Sequence, residues 1–173
     1  LTLTSNVPSN TTTIIYGRAV DVAGNVSNCT SLVSYIHDNA PPAVTGVSST
    51  SGNASYPAGQ VIPVDVTFSK VVTVTGTPQI TLAVGNVNSL VNYTSGSGTA
   101  TLTFNYTVLA GDNSSKLDYV STGSLALNGG TIRDSLRNDA SLGLPNPGTA
   151  SSLSARSIVV DTVSPTVSFT SIA

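Results

Sequence analysis

The sequence predicts an all-β protein made of antiparallel β-sandwich repeats in tandem. Three observations lead to this expectation: Thr and Val alternate along many short stretches, charged residues are only 8% of the 173 residues, and one pattern occurs twice. Alternating Thr and Val favour strands, whereas Lys is scarce and Glu is absent, although both are common on the exposed faces of long helices. Short strands separated by Gly, Pro and Asn turns are typical of an antiparallel sandwich.

The duplicated pattern is Gly-x-x-x-Asp-x-x-x-Asn, which occupies residues 17–25 and again residues 130–138. Each copy runs on into an apolar stretch that ends in Asp and is followed by a proline turn. Self-similarity at a fixed period is the mark of a domain array. The 123 residues that separate Asp38 from Asp161 fit one sandwich.

This period leads to a domain map. We expect the C-terminal part of a preceding repeat, one complete repeat, and the first strand of a following repeat, over residues 1–38, 39–162 and 163–173. Since the chain opens at Leu1 without a charged or apolar leader, the expectation is an interior fragment. Prolines interrupt ladder pairing and stiffen the chain, which predicts a mechanical role at the junctions for Pro41, Pro42 and Pro165.

The partial repeat contains two predicted strands, at residues 12–20 and 32–36, joined to the next repeat by a linker at 38–42. The first strand has apolar residues in both alternating sets, so we expect both of its faces to be partly buried. In the complete repeat the predicted strands cover residues 44–48, 61–68, 71–74, 80–84, 90–93, 99–109, 117–120, 125–127, 130–133 and 156–160.

Two of these strands show the clearest period of two. The residues predicted to face the core are Ile62, Val64, Val66 and Phe68 in one strand and Leu102, Phe104, Tyr106 and Val108 in the other. Pro63 removes a ladder donor, which indicates an edge or a bulge. Residues 139–154 have no strong pattern and include ten residues that the first copy lacks, so we expect an inserted surface loop there.

Composition excludes two classes of partner. The net charge is −2, with only six Lys and Arg residues in all, so no basic patch is available to neutralise the phosphates of a nucleic acid. No apolar run approaches the roughly 20 residues that span a bilayer, so no membrane span is expected.

Three stretches carry a family resemblance: Ala19–Ser27 (AVDVAGNVS), Thr67–Pro78 (TFSKVVTVTGTP) and Leu125–Asp134 (LALNGGTIRD). They resemble the tandem bacterial Ig-like, cadherin-like repeats of large surface proteins and adhesins. The resemblance implies an Ig-like antiparallel β-sandwich repeated in tandem, a stalk or adhesin role and no catalysis. Lys70 stands where such repeats usually carry Glu after Phe-Ser.

The leading hypothesis is therefore a non-catalytic structural repeat of an extracellular fibre at the bacterial cell surface. Its partners would be neighbouring repeats of the same polypeptide, while another domain at a distal tip binds a host or prey surface protein or glycan. A homo-oligomeric fibre and a single-chain stalk both stay open. Two alternatives also stay open: a carbohydrate- or protein-binding module that uses the 50–60 or 139–154 loop, with Tyr56 as the aromatic contact, and an accessory domain of a secreted enzyme.

Calcium binding at the junctions is the most specific site hypothesis, and no other cofactor is expected. The segment Asp38-Asn39-Ala40-Pro41 resembles the Asp-Asn-Ala-Pro element of cadherin linkers, where calcium stiffens the joint. Carboxylate and amide oxygens suit Ca²⁺, and we expect the loop of the first copy to approach the linker. Asp and Asn are also favoured in turns for local reasons. The candidate ligands are Asp21, Asn25, Asp38, Asn39, Asp134, Asn138 and Asp161.

The remaining candidates are single residues. Cys29 is the only cysteine, so it is either disulfide-bonded to a cysteine outside this chain segment or a buried reduced thiol. His37, the only histidine, reads as an exposed strand-end residue. Lys70 and Lys116 raise the idea of an internal Lys–Asn cross-link, against the ordinary interpretation of solvated lysines.

Overall fold

The computed structural model describes residues 7–85 and 87–168, and within them the fold is all-β, with one short 3₁₀ turn at Leu153–Ala155 and no α-helix. The all-β, mainly antiparallel prediction is confirmed. The chain divides into two compact units, unit 1 up to Ala40 and unit 2 from Pro41 onwards. No helix in the described residues is long and apolar enough to cross a membrane.

Unit 1 contains one antiparallel hairpin of β1 (Thr11–Gly17) and β2 (Thr30–His37). The register pairs Thr11 with His37 and continues to Gly17, with an irregularity after Ile15. Only one alternating set of β1 residues is half-buried, and the other set is exposed, so the expectation of two partly buried faces is wrong. Two strands alone cannot cover both sides of a sheet.

Unit 2 holds the remaining strands: β3 (Val44–Ser48), β4 (Ser55–Tyr56), β5 (Val61–Thr75), β6 (Gln79–Ala83), β7 (Asn88–Ser95), β8 (Thr99–Thr107), β9 (Asn113–Ser114), β10 (Asp118–Tyr119), β11 (Leu125–Ala126), β12 (Thr131–Arg133) and β13 (Val159–Asp161). The larger sheet has the order β10-β6-β7-β8-β5-β12, with β11 on β6 and β3 on β5. The smaller sheet has the order β4-β13-β9, in which β13 is parallel to β4 and antiparallel to β9.

The core of unit 2 forms where the inward faces of these strands meet. Every residue predicted to face inward on the two clearest strands is buried, from Ile62 to Phe68 and from Leu102 to Val108 in alternate positions. Phe104 packs edge-on against Tyr93, with ring centroids 6.0 Å apart. A period of two therefore located the core, because successive side chains of a strand point to opposite faces.

Two details of unit 2 differ from the sequence expectations, and a third, the edge position of Pro63, agrees with them. Residues 61–68 and 71–74 form one strand, β5, in which a register shift lies between Thr67 and Val72. Residues 139–154 are not only a surface loop, because Leu144 and Leu153 are buried in the core. Pro63 lies beyond the last pair that β3 makes with β5, so its missing donor faces no β3 partner.

Candidate functional site

The first copy of the duplicated motif forms a tight Asp–Asn loop after β1. One carboxylate oxygen of Asp21, Oδ1, accepts the backbone N–H groups of Ala23 (2.9 Å) and Asn25 (2.8 Å), while Oδ2 accepts the Asn25 side-chain amide (2.8 Å). The backbone closes the loop through bonds from the Asp21 N–H to the Asn25 carbonyl and from the Gly24 N–H to the Asp21 carbonyl. Gly24 has φ +87°, which glycine adopts without strain.

The second copy builds the same loop after β12. Asp134 Oδ1 accepts the N–H groups of Leu136 (3.0 Å) and Asn138 (2.9 Å), and Oδ2 accepts the Asn138 side-chain amide (2.8 Å). The same two backbone bonds recur, with Arg137 at φ +68° in the place of Gly24. The sequence duplication is therefore also a duplication of hydrogen bonds, and it explains why Asp and Asn keep their spacing of four.

The two loops differ in their electrostatic surroundings. Asp21 is exposed, and hydrogen bonds from Asn25 lower its pKa. The Asp134 side chain is only 5% exposed, and Lys70 Nζ lies 3.8 Å from its Oδ2. Burial by itself would raise the pKa of Asp134, but the Asn138 and Leu136 hydrogen bonds and the Lys70 charge together hold it below the ordinary value.

We expect acid to weaken unit 2 through Asp134. A carboxyl with a lowered folded-state pKa adds stability above its unfolded value near 4, and that stability is lost as the pH falls through the folded-state pKa. Asp134→Asn should lower the free energy of unfolding by about 1 kcal/mol at pH 7, and this difference should shrink between pH 4 and pH 2. Urea unfolding at several pH values measures it. A difference that stays constant with pH, or that equals the effect of Asp139→Asn, would contradict the assignment.

A second duplicated feature is the Asp turn at the C-terminal ends of β2 and β13. Asp38 Oδ1 accepts the Ala40 N–H (3.0 Å), and Asp161 Oδ1 accepts the Val163 N–H (3.0 Å), at the equivalent step. The residue after each Asp is also held in an equivalent way: the Asn39 N–H donates to Asn10 Oδ1 (2.9 Å), and the Thr162 N–H donates to Asn113 Oδ1 (3.2 Å). Asn10 and Asn113 are thus a matched pair that the sequence comparison missed.

The predicted calcium ligands fall into loop pairs, Asp21–Asn25 and Asp134–Asn138, that follow different strands from the turn residues Asp38 and Asp161. In unit 1 the Asp21 loop follows Gly17, whereas Asp38 follows His37 at the other end of the hairpin, about 20 Å away along β1. The expectation that this loop approaches the linker is therefore wrong for unit 1. In unit 2, Asp134 follows β12 beside Thr73, whereas Asp161 pairs with Asn113. In residues 7–85 and 87–168 no three His, Cys or acidic side chains cluster as metal ligands would, and calcium binding stays a prediction.

The junction prolines have different environments. Pro41 is exposed, while Pro42 is buried and its carbonyl accepts the Ser141 N–H (2.8 Å), which ties the start of unit 2 to the 139–154 segment. Pro165 is exposed, and residues 163–168 form no strand. The rest of the predicted first strand of a following repeat lies outside the described residues.

The single-residue candidates are placed as follows. Cys29 is an exposed free thiol here, which contradicts the buried interpretation, and a disulfide to another segment stays a prediction. Tyr56 lies in β4, half-buried, with its hydroxyl donating to the Gly52 carbonyl (2.8 Å), so it is not a free aromatic platform. His37 lies at the end of β2 as predicted, with its ring 6.2 Å from that of Tyr35, but it is half-buried, so the expectation of an exposed residue is wrong. Lys116 is exposed.

The second copy has a second insertion besides the one predicted within residues 139–154. The matched residues Asn10 and Gly17 are seven steps apart, whereas Asn113 and Gly130 are seventeen apart. The additional ten residues supply β10, and they contact the 139–154 segment that contains the other ten. The Leu144 N–H donates to the Thr122 carbonyl (2.9 Å), so the two insertions bond to each other.

Asp118 is the centre of this contact. Its side chain is buried, and its Oδ2 accepts the Gly148 N–H (2.9 Å) and lies 3.0 Å from the Ser152 hydroxyl, which is also buried. Next to it, the Tyr119 hydroxyl donates to the Pro145 carbonyl (2.6 Å). Burial and the Asp118 charge raise the pKa of Tyr119 to about 12, which keeps its proton in place. We call Asp118, Gly148 and Ser152 the insertion lock.

Compared with protein-family models, curated proteins and solved structures, the chain matches none of them. The assignment of a function therefore depends on the chemistry and geometry described above. These place the polar residues of both copies in loop closure and turn formation, where each carboxylate is occupied by hydrogen bonds from its own loop.

Proposed function

We propose that this chain is a non-catalytic spacer from a bacterial cell-surface fibre or adhesin, built from Ig-like β-sandwich repeats in tandem. Each repeat lengthens an extracellular stalk that holds a distal binding tip away from the cell. In this proposal unit 1 is the C-terminal part of one repeat and unit 2 is a complete repeat. Calcium, if the array uses it, acts at the joints between repeats.

The observation that carries the proposal is the path of the chain through unit 2. The chain enters beside Phe68, which pairs with Val44, and leaves beside Gly111, whose N–H donates to Thr162 Oγ1 (3.0 Å). Gly111 lies three residues after Val108, and the Val108 N–H donates to the carbonyl of Gln60, the residue before β5 (2.9 Å). The two ends are therefore about 25 Å apart along the strand direction of β5. A repeat with this path extends an array along its strand direction.

The duplicated loop and turn give independent support. Units 1 and 2 use the same Asp–Asn loop and the same Asp turn, down to individual hydrogen bonds. Array proteins repeat one structural unit and place each unit against its neighbours. A binding module or an enzyme accessory domain has no need of the same terminal turn in successive units.

Pulling on single molecules tests the spacer function. In a Cys29→Ser background, handles on cysteines at positions 40 and 163 load unit 2 along its strands, and handles at Val120 and Leu136 load it across the sheet. We expect a higher unfolding force along the strands, because the ladder hydrogen bonds of β3 and β13 then break together. With the handles at positions 40 and 163, the chain should lengthen by about 40 nm in one unfolding event. A force that is equal or lower along the strands would contradict a load-bearing spacer.

The same measurement, repeated with calcium and with a chelator, tests the metal hypothesis separately. Calcium at a joint would raise the force or the stiffness of the two-unit chain, and identical traces would remove calcium from the proposal. A glycan array probed with the chain and with Tyr56→Ala tests the binding alternative. Tight binding that depends on Tyr56 would favour a ligand-binding module over a spacer.

A further inference from the structure

The end of the β1–β2 hairpin next to Asp38 corresponds to the β9–β13 pair of unit 2 in one strand pair and one flanking hydrogen bond. Thr11 pairs with His37 as Ser114 pairs with Val160, and the flanking Asn10–Asn39 and Asn113–Thr162 hydrogen bonds are equivalent. Strand β2 is therefore the counterpart of β13. The segments that pack against β13 in unit 2 therefore indicate which kind of segment packs against the same surface of β2.

In unit 2 the second edge of β13 is an established interface. It pairs in parallel with β4, with Val159 opposite Ser55 and Val160 opposite Tyr56, and the Val159 N–H donates to the Ala54 carbonyl (2.9 Å). In unit 1 the sheet consists of β1 and β2 alone among the described residues. The edge of β2 away from β1 thus presents ladder groups that no described strand pairs.

One face of the hairpin is open in the same way. Tyr35 and His37 correspond to Ile158 and Val160, which are 0% and 2% exposed in the core of unit 2. Tyr35 is 47% exposed, and Val33, two residues earlier on the same face, is 54% exposed. In unit 2, Ile158 and Val160 are buried in one cluster with Ile62 and Val64 of β5, whereas Arg156, the counterpart of Val33, lies outside it.

We propose that unit 1 is completed by strand addition from a segment with the chemistry of residues 52–68. A short uncharged strand like Ser55–Tyr56 pairs in parallel with the free edge of β2, and an alternating apolar strand like the first half of β5 covers Tyr35 and His37. The segment is supplied by the same polypeptide, as it is in unit 2. This inference rests on the proposed function, in which the two units are copies of one repeat.

The chemistry of the surface fits such an occupant and not a charged one. The residues of β2 are TSLVSYIH, without an acidic or a permanently charged side chain. Main-chain hydrogen bonds supply affinity in strand addition, and alternate side chains supply specificity. The segment 52–68 offers one charged residue, Asp65, and places Ile62 and Val64 on one face.

The test uses the 173-residue chain and a synthetic peptide of residues 52–68 added in trans. Backbone amides of β2, measured by hydrogen exchange with NMR, should exchange at least about tenfold more slowly at saturating peptide. The amides of β13 serve as an internal control, because their β4 partner is already present. A peptide carrying Tyr56→Pro, Ile62→Asp and Val64→Asp is the matched negative control.

Two variants of the chain locate the surface. Tyr35→Thr should abolish the protection, whereas Ile36→Thr, on the opposite face of β2 and 59% exposed, should retain it. Unchanged β2 exchange at peptide concentrations up to about 1 mM, or equal protection by the control peptide, would overturn the proposal. Either result would leave the pulling experiment on unit 2 unaffected, so failure here is distinguishable from failure of the spacer function.

Discussion

Replacing Asp118 with alanine is expected to lower the free energy of unfolding of unit 2 by about 2 kcal/mol. The change removes a buried carboxylate that accepts the N–H of the exposed Gly148 and the hydroxyl of the buried Ser152, which keeps the Thr149 carbonyl and the Ser154 hydroxyl as partners. Hydrogen bonds to a charged group contribute more than neutral ones, so the loss of these two bonds dominates the expected effect. Urea unfolding of the full chain at pH 7 measures the loss.

Two further variants sharpen this result. Asp139→Ala breaks an exposed pair with Arg133, whose atoms are 2.6 Å apart, and should cost less than about 1 kcal/mol. Asp118→Asn keeps one acceptor oxygen, so its loss of unfolding free energy should lie between those of Asp118→Ala and Asp139→Ala. Hydrogen exchange should show the loosening of Asp118→Ala at residues 144–152. A loss no greater than that of Asp139→Ala would mean that the insertion lock is not a determinant of stability.

Gly130→Ala is expected to destabilise unit 2 by about 3 kcal/mol. A Cβ at Gly130 would overlap the backbone carbonyl oxygen of Thr75, and backbone cannot move aside without breaking the β12–β5 pairing. Gly143→Ala is the matched control, because a Cβ there meets no atom within 4 Å. Thermal and urea unfolding of the two variants measure the difference, and equal stabilities would show that β12 tolerates displacement.

An added Cβ is not tolerated equally at the two duplicated glycines. At Gly17 the nearest atom to a new Cβ is Leu32 Cδ1 at 2.5 Å, the end of a flexible side chain that is 68% exposed. Leu32 can rotate away, so Gly17→Ala should cost less than about 1 kcal/mol. The neighbouring strand β5 is what makes the same residue type indispensable at position 130.

Local pattern was enough to find the strands with long alternation, and it placed Phe104 and Tyr106 in the core, because burial of one face imposes a period of two. It also found the Asp–Asn loops, since their hydrogen bonds join residues four apart. It did not find β4 or β9, which have two residues each and form only because β13 lies between them.

The insertion lock was missed for a different reason. Asp118 and Ser152 are 34 residues apart, and neither lies in a recognisable motif. Their contact follows from two insertions that meet in space, which a comparison of spacing reveals only when Asn10 is matched with Asn113. Once that match is made, the second ten-residue insertion is visible in the sequence itself.

The insertion lock also limits how such a repeat can change length. Because Asp118 of one insertion accepts hydrogen bonds from Gly148 and Ser152 of the other, a repeat that lost either insertion would lose both bonds to a buried carboxylate oxygen. Intermediates with a single insertion are therefore penalised during evolution, and the two segments are gained or lost together. Repeats of this kind should occur in a short and a long form that differ by about twenty residues, with forms of intermediate length disfavoured.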